Sequence, residues 1–173
     1  MRAETPELRV PAFLQALFDA HLRYLAHERR YSAHTVTAAQ RDLRAFGDYC
    51  ARASIQRLDQ IDQHLIRAWL GQQHRAGQSP ASLHRYLSSL RSFFREQVRA
   101  GRLPANPAQT VRAPKLRRKL PPVIAAESLN AALDQGAEDV HGVRDQAVVE
   151  LFYATGLRLS ELWSLDAEIA GRA

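Results

Sequence analysis

The sequence holds a single cysteine, Cys50, so no disulfide can form within the chain and a reducing compartment is the natural setting. It has no run of ~18 apolar residues, the length a membrane-spanning helix needs. Its first residues, Met1-Arg2-Ala3-Glu4, lead into no apolar stretch of the kind a secretory leader carries. A soluble, cytoplasmic protein without membrane partners is expected. Glycine and proline are scarce, eight each, against 46% hydrophobic residues, which excludes a low-complexity chain. A length of 173 residues leaves room for one domain or two small ones. Acidic residues are nearly missing from one region: between Gln63 and Lys119, Glu96 stands alone among 12 cations.

The charge is divided by position. Residues 1–122 carry 21 Lys+Arg against 9 Asp+Glu, or +12, and residues 123–173 carry 3 against 9, or −6. A local excess of that size is the footprint of a surface that follows a phosphate backbone. A solvated face on an arginine-rich protein would show the same composition.

Four amphipathic helices are expected in the first hundred residues. From Pro11 to Arg29, Phe13, Leu14, Leu17, Phe18, Leu22 and Leu25 recur at intervals of three and four. Ser32 is placed to cap a second helix, whose stripe is Val36, Ala39, Leu43, Phe46 and Cys50. The opposite side carries His34, Thr37, Arg41 and Arg44, suited to phosphate or base edges, together with Asp48. Asp59 or Asp62 caps a third helix running to about Arg75, with Ile61, Leu65, Trp69 and Leu70 inward. Trp69 could stack on a base, but a tryptophan within an apolar stripe is a core residue. Ser79-Pro80 opens a fourth helix that ends near Gly101, with Leu83, Leu87, Leu90 and Phe94 inward. At 100° per residue Arg91, Arg95 and Arg99 form a ridge on its exposed side, and Glu96 is the one acid near enough to pair with them.

Residues 104–122 hold five of the eight prolines and the cluster Lys115, Arg117, Arg118 and Lys119. Proline disfavours helix at itself and at the preceding residue, so an extended basic linker is expected, lying against DNA. Beyond it a short helix is expected from Glu127 to Leu133. A longer one opens around Gly142-Val143-Arg144-Asp145 and closes near Gly156, and a last short one spans Leu157 to Leu165. Arg158 would then sit in the first turn of that last helix, where a cation opposes the helix dipole. Either an ion pair with Glu161 or a bound anion would compensate it.

The stretch Ala154-Thr155-Gly156-Leu157-Arg158-Leu159-Ser160-Glu161-Leu162 resembles the first active-site motif of the tyrosine site-specific recombinases, the phage integrase family, in its Xer-like branch. Further matches are Ser32-Ala33-His34-Thr35 with Arg41-Asp42-Leu43, Leu90-Arg91-Ser92-Phe93-Phe94, Gly101 to Pro107, Arg112-Ala113-Pro114-Lys115 and Arg144-Asp145. The chain departs from the family at Ala39, where an aromatic residue is common. The resemblance implies an all-α chain: a four-helix SAM-like core-binding domain in residues 1–103, a linker in 104–122, and the first helices of a mixed α/β catalytic domain in 123–173. It implies that Arg158 grips the scissile phosphate, and the charge and helix faces make Thr37, Arg41, Arg44, Arg91, Arg95, Arg99, Lys115, Arg117, Arg118 and Lys119 the expected contacts to double-stranded DNA. Such enzymes cut and rejoin DNA through a 3′-phosphotyrosine, which conserves the bond energy, so no metal or cofactor is implied. A second recombinase subunit is an implied partner. Beyond Arg158 the chain has no Tyr, Lys or His, so the nucleophile and later catalytic groups have no counterpart. The expectation is an N-terminal fragment, truncated early in the catalytic domain, that holds DNA without cutting it. A non-catalytic helical DNA-binding protein is the alternative; a helical protein-interaction module accounts poorly for the one-sided charge.

Overall fold

In the computed structural model, the described residues are 9–115, 125, 127–128, 131 and 139–164. The chain divides into two compact units, Met1–Arg118 and Lys119–Ala173. Among the described residues every regular element is helical, and no helix is long and apolar enough to cross a membrane.

The first unit is built from α1 (Ala12–Arg23), α2 (Ala33–Arg52), α3 (Gln63–Arg75) and α4 (Pro80–Arg99). Each start after α1 is fixed by a side-chain oxygen that accepts from a first-turn amide. Ser32 accepts from Thr35, Asp62 from Leu65 and Ser79 from Ser82, which satisfies backbone donors the helix cannot pair itself. Pro80, in the first turn of α4, gives up no bond. Gly77 and Gly101 follow α3 and α4 at φ 84° and 68°, the left-handed region in which glycine alone is unstrained.

α2 packs on α1 and α4, and α4 also touches α1 and α3. Their inward stripes meet in one core that includes Leu14, Phe18, Leu43, Phe46, Trp69, Leu87, Leu90, Phe93 and Phe94. Trp69 is fully buried, 5.1 Å edge-on to Phe46. Fully burying a side chain such as Leu or Phe contributes about 1.5–3 kcal/mol, so the core needs no disulfide to hold it. Cys50 lies within it, and burial pushes its thiol up to about 12. At Gly47 a Cβ would stand 2.8 Å from a Val10 methyl and 3.0 Å from Phe18, so α1 and the residues before it approach α2 more closely than alanine would allow.

Three details depart from the helical spacing. α1 stays regular only to Arg23; Tyr24–Glu28 form a π-helical turn, closed by Arg29 N–H donating to the Tyr24 carbonyl, 3.0 Å. This wider turn keeps Leu25 buried and ends at Arg30, whose φ is 50°. In α3 the fully buried aliphatic is Ile66, with Leu65 half-buried at the cap. The segment after α4 also packs on the helices: Leu103, Ala108 and Val111 are core residues, so Pro104 to Val111 lies on the unit before the basic stretch begins.

In the second unit α5 spans Val140–Thr155 and α6 spans Leu159–Trp163. Asp139 caps α5 by accepting from Gly142, 2.7 Å, and Gly156, φ 65°, ends it. No described residue of this unit is buried, and Val140, Leu159 and Trp163 are among its exposed apolar side chains. Of the expected Glu127–Leu133 helix, Glu127, Ser128 and Ala131 are helical and the others lie outside the described residues.

Candidate nucleic-acid interface

Helical periodicity gives α2 and α4 a shared outer face beside their shared core. Between them lies a cleft of about 480 Å³, lined by His34 and Thr35 of α2 and by Arg85, Ser88, Ser92 and Arg95 of α4. A smaller recess continues it along α4, where Arg95 and Arg99 meet Tyr24, Arg29 and Tyr31. The π-helical turn thus supplies part of the wall.

The floor is polar. Asp42, 1% exposed, ion-pairs with Nη1 of Arg85 and accepts from Ser89 Oγ at 2.8 Å. Burial pushes the Asp42 carboxyl above its ordinary value, while Ser89 and Arg85 pull it back. The Arg85 guanidinium lies 4.9 Å from the Tyr86 ring, a cation–π contact. Neither Arg85 nor Asp42 stands out in the sequence as a pair: they are 43 positions apart, and only the packing of α2 on α4 joins them.

Of the residues expected to meet DNA, Thr37, Arg41 and Arg44 are exposed along α2, and Arg95 and Arg99 are exposed on α4. Arg41, Arg44 and Arg95 make no hydrogen bond or ion pair to a described residue, and Arg99 donates to the Tyr24 hydroxyl at 3.2 Å. Arg91 is turned away from that ridge. Its Nε donates to the Ala108 carbonyl at 3.1 Å and its Nη2 to Val111 at 2.6 Å, because the segment after α4 packs back over this side of the helix. Glu96 does not pair with the arginines either; it holds Nδ1 of the buried His21. Lys115 is exposed, and Arg117, Arg118 and Lys119 lie outside the described residues.

Arg158 precedes α6 as its N-cap, with extended backbone at φ −78° and ψ 156°, which corrects its expected place inside the first turn. Its amide donates to Glu161 Oε2 at 2.7 Å and its Nη1 to Oε1 at 3.0 Å, so the i+3 ion pair is present. The Arg158 side chain is 82% exposed, and such a surface pair contributes only ~0–1 kcal/mol, so an anion could displace it.

Residues 18–101 match the family described as the phage integrase N-terminal SAM-like domain. The chain is 38% identical over 167 residues to the tyrosine recombinase XerC of Xanthomonas campestris pv. campestris strain B100, covering 95% of this chain and 52% of that protein. It is 40% identical over 156 residues to the XerC proteins of Azotobacter vinelandii and of Pseudomonas aeruginosa strain PAO1, covering 90% of this chain and 52% of each. The chain therefore spans about half the length of the curated relatives it matches. No solved structure matches. Residues 18–101 of the helical unit thus carry the phage integrase N-terminal SAM-like domain, and over nearly its whole length the chain is similar to the XerC tyrosine recombinases.

Proposed function

We propose that the helical unit binds double-stranded DNA through the outer face of α2 and α4 and the basic segment that follows, as the DNA-holding part of a site-specific tyrosine recombinase. At full length such an enzyme cuts and rejoins DNA through a 3′-phosphotyrosine, in the cytoplasm and with a second recombinase subunit. Residues 1–103 are the core-binding domain, 104–122 the linker and 123–173 the start of the catalytic domain. The observation that carries the reading is that Arg41, Arg44 and Arg95 make no ion pair or hydrogen bond to a described residue, on a face where Asp42 is buried and Glu96 turns inward to His21. Thr37, Arg99, Lys115, Arg117, Arg118 and Lys119 extend the set of phosphate contacts. Arg91 adds its charge while its donors hold the segment after α4. Arg158 is the catalytic residue of the recombinase, its planar fork matched to the charge of a pentacoordinate phosphorus.

The test is duplex binding by fluorescence anisotropy at rising salt. The eight cationic phosphate contacts named here predict that affinity falls by ~10³–10⁵-fold between 50 and 200 mM salt, through counterion release. Binding insensitive to salt, or no binding at 50 mM, refutes the reading.

A further inference from the structure

Resting on the DNA-binding reading, we infer that Arg85 reads a base edge, guanine by its chemistry, and that Asp42 is the residue that positions it. Among the described arginines of the helical unit, Arg85 is the one whose ion-pair partner is a buried carboxylate: Asp42 is 1% exposed, whereas the partners of Arg52 and Arg57 are side chains 15% and 58% exposed. Asp42 is itself fixed, since Ser89 donates to its other oxygen at 2.8 Å. Tyr86 supports the guanidinium from a second direction, 4.9 Å away. The side chain is thus immobilised before any ligand arrives, so little rotamer entropy remains to be lost on binding.

The geometry also says which donors are left. Asp42 takes Nη1, and no described residue accepts from Nε or Nη2. These two N–H groups lie side by side on one edge of the guanidinium, the edge that the chain uses as a fork elsewhere: Arg57 puts Nε and Nη2 on the two oxygens of Asp59, at 3.1 and 2.9 Å. Guanine offers a matching pair of acceptors, O6 and N7, in the major groove. The Arg85 side chain is 41% exposed and lines the α2/α4 cleft, where Ser88, Ser92, Thr35 and His34 supply further polar groups suited to neighbouring base edges.

Charge separates this role from that of the surrounding cations. Asp42 largely cancels the positive charge of Arg85, so Arg85 adds little to counterion release and has little to offer a phosphate. Arg41, Arg44 and Arg95, which make no ion pair to a described residue, are suited to the backbone. The face therefore divides its work between arginines that set affinity and one that sets sequence preference.

The experiment selects duplexes from a random-sequence library with the 173-residue chain, then measures selected and random duplexes by anisotropy across a salt series. Selection is expected to enrich guanine at one position by about 10-fold or more. Arg85→Lys, which keeps the charge without the fork, should lose that enrichment. Asp42→Asn/Arg85→Gln, which leaves no buried charge alone, should lose it with a salt slope within half a unit of wild type. Arg95→Gln should instead lower the slope by about one and keep the guanine preference. The inference is overturned if wild type binds duplex without preference, if Arg85→Lys keeps the guanine, or if the double variant loses about one unit of slope, which would mark a phosphate contact. Failure of wild type to bind any duplex would refute the DNA-binding reading itself.

Discussion

Arg91 donates from the middle of α4 to the main-chain oxygen of Val111, 2.6 Å away and 20 residues later. The same guanidinium reaches the Ala108 carbonyl, and Asn106 returns a bond from its Nδ2 to the Arg91 carbonyl at 3.0 Å. Ala108 and Val111 are buried at 0% and 1%, so their carbonyls have little access to water as substitutes. Arg91→Ala should therefore destabilise the helical unit by ~1.5–3 kcal/mol, the scale of a hydrogen bond to a charged group. Arg91→Lys, lacking the fork, should recover only part of the loss. Urea unfolding measures the loss, and amide exchange at 106–113 should accelerate first; an Arg91→Ala variant as stable as wild type would show the clamp to be idle.

Asp42 gives stability a pH dependence whose sign follows from its surroundings. Its carboxyl is raised mainly by burial, so in the window above the ordinary value of 3.8 the folded chain binds more protons than the unfolded one. Stability contributed through Asp42 then falls as pH rises through that window and is fully present below it. Asp42→Asn removes the titration while keeping an acceptor for Arg85. The stability of Asp42→Asn relative to wild type should rise between pH 4 and pH 7, read by urea unfolding at each pH. A difference that stays flat or falls with pH would contradict a raised Asp42. Because the substitution is not expected to unfold the protein at neutral pH, a loss of sequence preference in it reports on Arg85.

The helices were legible because their evidence is local. Ser32, Asp62 and Ser79 stand one residue before apolar periodicity, and Gly77 and Gly101 just after it, so caps and stripes agree on the same boundaries. The burial of Trp69 followed from the same stripe. What escaped is set by contacts between distant positions. Periodicity puts Arg91 on the outer side of α4 but cannot say that the segment ending at Val111 folds back over it. Nor can it say that Glu96, four residues before Ala100, faces inward to His21, or that Asp42 of the Arg-Asp-Leu run is the buried ion-pair partner of Arg85. The left-handed residue Gly156 signals the end of α5, yet the extended backbone at Arg158 depends on Glu161 reaching back to its amide, a capping box without Ser or Thr.

Glu96 offers a sharper test of that inward turn. It is the one acid in the basic stretch from Gln63 to Lys119, and Arg95 and Arg99 lie beside it. Were it paired with them on the surface, its removal would change stability by at most ~0.5 kcal/mol. In the structure it is the hydrogen-bond partner of His21, whose ring is fully buried, edge-on to Phe93 at 5.7 Å, with no described residue bonded to Nε2. Glu96→Ala would leave both ring nitrogens without a partner away from water, a loss of ~1–3 kcal/mol at neutral pH. His21→Phe removes both nitrogens and refills the site with an aromatic ring, so combining it with Glu96→Ala should restore part of the stability that Glu96→Ala loses. Urea unfolding of the two single variants and the double variant measures the coupling. Additive losses, with Glu96→Ala alone near wild type, would return Glu96 to the arginine ridge and remove the reason those arginines are free for phosphate.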